Sequence, residues 1–154
     1  RLEHRYARYA GLNLTFEVRE GIVKHSRDFG PGEFPELDEY LPGQRPPLEA
    51  QLIDLADEIA YNTADLDDAY AAGLLSYDDL AGLHAETTET VETSYPAAGE
   101  KVRVAEIVRR LLDSLAAGLV AGTRQAAEAS GAASVGDVRL HPDRLARFTE
   151  SAAI

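Results

Sequence analysis

Asp57, Tyr61 and Asp65 stand four residues apart, and their types suit one kind of chemistry. A helix advances about 100° per residue, so steps of four drift by only ~40° and the three side chains share one stripe. An anionic metal ligand, a flat ring and a second carboxylate can then meet a single bound molecule. The pattern has a plainer alternative, because acids along one side of an amphipathic helix ordinarily form a solvated face. A tyrosine between the acids and a wide complementary apolar face favour the first reading. Buried carboxylates need a cation or hydrogen-bond donors, and a divalent metal is the economical answer.

The stripe needs a long helix to carry it. Pro47 suits a first helical turn and Gly73 a stop. Between them Leu48, Leu52, Leu55, Ile59, Leu66 and Ala69 form an apolar stripe. Ile53, Ala56, Ala60 and Ala64 widen it to roughly 200° of the circumference, more than a surface helix requires. That width predicts a central helix, with only a narrow acidic strip (Asp54, Asp57, Glu58, Tyr61, Asp65 and Asp68) left over.

The flanking segments also read as helices. Residues 2–9 form a first helical piece ending at Ala10-Gly11. Thr15 then sits at an N-cap position, with Glu17 and Glu20 early and Lys24-His25 at the far end, an order that suits the helix dipole. Residues 26–47 are rich in Gly and Pro and read as a long loop, either a binding segment or a linker. Ser76-Tyr77-Asp78-Asp79 is a capping-box pattern opening a helix over residues 76–94. A long helix follows over residues 100–130, with Val104, Ile107, Val108, Leu111, Leu112, Leu115 and Leu119 at core spacing and Gly131 as its C-cap. Residues 134–138 start a further short helix. The fold class is therefore all-α.

Composition narrows the function. The 154 residues carry 27 acids against 15 bases, a formal net charge of -12, which repels nucleic acid and anionic membrane surfaces. Cysteine is absent, which removes thiolate nucleophiles, zinc–thiolate sites and disulfides. No apolar run approaches the ~20 residues of a membrane span, so a cytoplasmic protein is expected. The chain opens on Arg1 and contains no methionine, which suggests an internal piece of a longer product.

Two strings carry a family resemblance. One is Leu48-Glu49-Ala50-Gln51-Leu52-Ile53-Asp54-Leu55-Ala56-Asp57-Glu58-Ile59-Ala60-Tyr61-Asn62-Thr63-Ala64-Asp65-Leu66-Asp67-Asp68-Ala69. The other is Gly11-Leu12-Asn13-Leu14-Thr15-Phe16-Glu17-Val18-Arg19-Glu20-Gly21-Ile22-Val23-Lys24-His25, preceded by Leu2-Glu3-His4-Arg5-Tyr6. Both closely resemble bacterial dGTP triphosphohydrolase-like proteins of the HD-domain superfamily, strongly over residues 1–75 and loosely beyond.

The resemblance implies a partial HD-domain-like helical bundle, with residues 1–75 holding half of a site and residues 76–154 an accessory helical region. It implies hydrolysis of a deoxynucleoside triphosphate to deoxynucleoside and triphosphate, with a divalent metal (Mg, Mn or Fe) held by two His and two Asp. Asp57 matches the last of those ligands. Tyr61 and Asp65 match residues on the deoxyribose, where a ring against C2′ leaves little room for a 2′-hydroxyl. Lys24 and His25 match positions near the triphosphate. None of His4, His25, His84 and His141 is followed by Asp, so the family's His-Asp doublet is expected before Arg1.

Other readings stay open. The chain could be a helical oligomerisation or regulatory module without turnover, since the family is typically oligomeric, or a hydrolase of another phosphoester. Lys24 could equally cap a helix C-terminus and His25 be an ordinary packed residue.

Overall fold

The computed structural model describes residues 6–152, and all the regular secondary structure among them is helical, without a strand. Six α-helices follow in order: α1 (Phe16–Lys24), α2 (Leu48–Ala71), α3 (Tyr77–Leu83), α4 (Ala85–Ser94), α5 (Glu100–Ser130) and α6 (Val135–Leu140).

Local sequence sets most of their boundaries. The Val18 N–H donates to Thr15 Oγ1 at 3.4 Å, so Thr15 caps α1 as its position predicts. Ser76 and Asp79 complete a reciprocal capping box on α3, and Ser134 and Asp137 do the same on α6. Gly73 and Gly131 end α2 and α5 with φ of +71° and +68°, a left-handed backbone that costs glycine little.

Three expectations fail locally. Of the helical piece expected over residues 2–9, residues 2–5 lie outside the described residues, and residues 6–9 are irregular or bent, with the Tyr6 and Tyr9 rings stacked at 4.8 Å and exposed. The helix expected over residues 76–94 breaks at His84, whose backbone (φ -135°, ψ 54°) ends α3 and precedes α4. The long loop contains a 3₁₀ turn, Pro35–Tyr40, that the Gly and Pro pattern did not reveal.

The described chain forms two compact units that interleave in sequence. One takes residues 1–54 and 125–146; the other takes residues 55–124 and 147–154. The first has an apolar cluster of Ala126, Val138 and Leu145, with Leu48 and Ala132 packed against it. Its interior also holds charge. Lys24 and Glu20 are both 0% exposed and paired at 3.0 Å, and Arg139 closes on Glu20 at 2.6 Å. Gln51, also buried, accepts from the Leu145 and Ala146 N–H groups at 2.7 and 3.2 Å and donates to the Pro46 carbonyl at 2.8 Å.

In the second unit Ile59, Leu80, Val91, Val104, Ile107 and Leu119 are buried. The Tyr70 hydroxyl donates to Glu100 at 2.8 Å, joining the end of α2 to the start of α5; that bond and the partial burial around it raise the phenol's pKa. The segment after residue 146 lies against α5 at two glycines. A Cβ on Gly122 would stand 2.5 Å from the Arg147 carbonyl oxygen, and one on Gly118 would overlap the Ala152 side chain. Around them the Thr149 N–H donates to the Gly118 carbonyl at 3.2 Å, and the Arg147 N–H donates to Thr123 Oγ1 at 3.2 Å.

Candidate functional site

The α2 helix buries Ala50, Gln51, Ile59 and Thr63 and half-buries Leu48, Leu52, Leu55, Leu66 and Ala69, which is the apolar stripe that periodicity predicts. The wider apolar face does not pack. Ile53 is 62% exposed, and Ala56, Ala60 and Ala64 are exposed with it. The expectation of a central helix is thus corrected: among the described residues no element covers that side, and α2 is buried on one half only.

Asp57, Tyr61 and Asp65 lie on the open half. Both acids are exposed and Tyr61 is 68% exposed. Among the described residues, no hydrogen bond, ion pair or ring contact engages any of the three. The contrast with Asp54, one turn earlier, is direct: its Oδ2 accepts from Arg144 Nη1 at 3.0 Å. Arg144 also donates to the Lys24 and His25 carbonyls and to Asp28, so Asp54 belongs to a structural tie.

Lys24 and His25 end α1 in different circumstances. The Lys24 ammonium is enclosed and donates to Glu20 Oε1 at 3.0 Å, the Leu41 carbonyl at 2.8 Å and the Gln44 carbonyl at 3.2 Å. An ammonium has three protons, and three acceptors are in place. The His25 ring is exposed, with Nε2 2.9 Å from Ser26 Oγ. It borders an open cleft of about 660 Å³ walled by Val18, Ile22, Ala50, Ile53 and Val135.

Among the described residues no group of three or more His, Asp or Glu is placed to hold a metal ion. Asp57 alone is one exposed carboxylate, and divalent cations require several ligands at once. The described residues therefore do not make a metal site by themselves. His4 lies outside the described residues.

The structure adds a feature that the sequence reading missed. On the flank of α2 a cleft of about 370 Å³ opens beside Glu58 and Asn62, with His84, Ser114, Leu115 and Phe148 among its walls. Glu58 reads from sequence as a solvent-facing or supporting acid, and no local signal brings residues 114 and 148 to it. The arginine ties were equally hidden, because Arg139 and Glu20 are 119 residues apart.

Fold and stripe together define an all-helical protein that presents an acid–tyrosine–acid face on an exposed helix. No family model matches the chain. It is 42% identical over 153 residues to the deoxyguanosinetriphosphate triphosphohydrolase-like protein of Ralstonia nicotianae, covering 97% of this chain and 39% of that one. The proteins of that name from Azoarcus sp. and Geobacter sulfurreducens are 40% and 37% identical, each over 97% of this chain and 40% and 39% of their own length. The chain belongs to this family of triphosphohydrolase-like proteins and spans about two-fifths of the length of the curated relatives it matches.

Proposed function

We propose that the protein takes part in metal-dependent hydrolysis of deoxynucleoside triphosphates to deoxynucleoside and triphosphate. In this reading Asp57 is one ligand of a divalent metal whose remaining ligands lie outside the described residues, with Mg, Mn or Fe suited to such a nitrogen and oxygen set. Tyr61 packs on the deoxyribose and Asp65 accepts a hydrogen bond from its 3′-hydroxyl. The observation that carries the reading is the state of the stripe: three groups suited to a nucleotide sit on one exposed edge, and no described side chain is spent on them. The family supplies the substrate class through the printed name of its members.

His25 and Lys24 form a separate part of the proposal, as groups near the triphosphate. His25 has an exposed ring to offer, whereas Lys24 must first give up one of its three acceptors. The environment in this reading is the cytoplasm, and no described helix is long and apolar enough to cross a membrane.

The test is triphosphate release from dNTPs with Mn²⁺ or Mg²⁺ by the full-length protein and its Asp57→Ala variant. Loss of at least ~100-fold in the variant is expected when a metal ligand is removed. Equal release by both sinks the assignment, and activity on monophosphates but not triphosphates would move the protein to another phosphoester.

A second reading, self-association through α5, has its own observation. Val102 and Val120 are 63% and 65% exposed, and Leu112, expected in the core, is exposed as well. Exposed apolar side chains of this size suit a subunit contact. Light scattering across concentration checks it, with a mass above the monomer as the expected result.

A further inference from the structure

Four polar side chains around the α2 flank cleft have no described partner: Glu58, Asn62, His84 and Ser114. The remaining walls are mostly apolar, chiefly Leu115 and Phe148, and their two hydroxyls, on Thr63 and Ser151, already have partners. A concavity with apolar walls and a few unpaired polar groups is the usual form of a small-molecule site, and about 370 Å³ lies at the low end of the ~300–1,000 Å³ range. Such a volume suits a flat heterocycle better than a whole nucleotide.

Its position is as informative as its lining. Glu58 and Asp65 are seven residues apart on α2, so they differ by only ~20° about the helix axis, and Asn62 stands ~60° to the same side. The near rim of the cleft, at Glu58 and Asn62, therefore adjoins the edge that carries Asp65, while Leu66, Ile59 and Thr63 carry the cleft further round the helix, within one compact unit. A sugar held on Tyr61 and Asp65 would stand beside this rim.

We propose that the cleft receives the heterocyclic base of the deoxynucleotide, with the Asn62 amide reading the base edge and Phe148 serving as its apolar wall. This rests on the sugar-binding reading of Tyr61 and Asp65. Asn62 suits the task because an amide offers both a donor and an acceptor, so it distinguishes base edges by their pattern. Phe148 suits its own because ring contact with a base is tolerant of sequence and adds affinity to all bases alike. Ser114 and His84 supply further contacts from α5 and from the α3–α4 break.

The two roles separate in one experiment. Equilibrium binding of dATP, dGTP, dCTP, dTTP and base-less 2-deoxyribose 5-triphosphate is measured for the protein and for Asn62→Ala and Phe148→Leu. Asn62→Ala is expected to narrow the spread between best and worst base by about tenfold. Phe148→Leu is expected to weaken all four base-bearing nucleotides by about fivefold or more. Neither should change the base-less compound. Asn62 is exposed, so its variant keeps the fold and carries the test if Phe148→Leu unfolds. An unchanged spread between best and worst base in Asn62→Ala, or an equal loss for the base-less compound, overturns the base pocket alone. Failure of the unaltered protein to bind any of the five overturns the sugar-binding reading and the pocket with it.

Discussion

Glu20 and Asp57 are both carboxylates on helices one turn from other charged groups, yet the molecule treats them in opposite ways. Glu20 is sealed from water and holds Lys24 and Arg139. Asp57 sits in solvent with Tyr61 and Asp65 and holds nothing described. Burying a charge is tolerable only when partners offset the lost hydration, and the first unit supplies them from α1, α6 and the long loop. The α2 stripe has no such partners and keeps its hydrogen-bonding capacity for something else. Charged residues of one type can thus be sorted into structural and available groups by what they already bind.

The largest expected break in this contrast is Glu20→Ala. It strips Lys24 and Arg139 of their carboxylate and should destabilise the protein by about 3–5 kcal/mol in chemical denaturation. Gln51→Ala comes next, since it leaves the Leu145 and Ala146 N–H groups and the Pro46 carbonyl unpaired, at about 2–3 kcal/mol by the same measurement. At the other end, Asp57→Asn and Tyr61→Phe should stay within about 0.5 kcal/mol of the unaltered protein, because nothing described depends on them. A large loss of stability in either would show that the stripe is structural after all.

A smaller effect sharpens the same comparison through pH. Ser76, through its hydroxyl and then its N–H, holds the Asp79 carboxyl below its ordinary range. The Ser134 hydroxyl, with the Ala133 and Ser134 N–H groups, does the same for Asp137. A depressed folded-state pKa contributes stability that is complete above the unfolded value, about 3.9 for Asp, and is lost as pH falls through the folded one. Thermal melting between pH 5 and pH 2 should therefore show a shallower acid decline in Asp79→Asn and Asp137→Asn than in the unaltered protein.

What the sequence discloses follows the range of the forces involved. Caps, helix stops and the buried stripe of α2 rest on neighbours within a turn or two, and Thr15, Ser76, Gly73 and Gly131 announce them. The His84 break is local too, with Gly82 just before it as its one mark in the sequence. The exposure of Ile53, Ala56, Ala60 and Ala64 is a matter of what else packs on the helix, and hydrophobic spacing is silent about that. The same holds for Gln51, Arg139 and Arg144, whose partners lie about 90–120 residues away. Of the candidate site, the order and spacing of the stripe could be read directly, whereas the cleft beside Asn62 required the chain to fold back through Ser114 and Phe148.

The glycine pair of α5 lets the segment that carries Phe148 and Ala152, two residues of the cleft's lining, lie close against the helix. A glycine inside a helix costs roughly 1 kcal/mol against alanine, and α5 carries two where the tail crosses it. Restoring a methyl at Gly122 would push the crossing strand of backbone outward and take the Phe148 ring with it. The seat of that ring is accordingly fixed by two methyl groups that the helix does without.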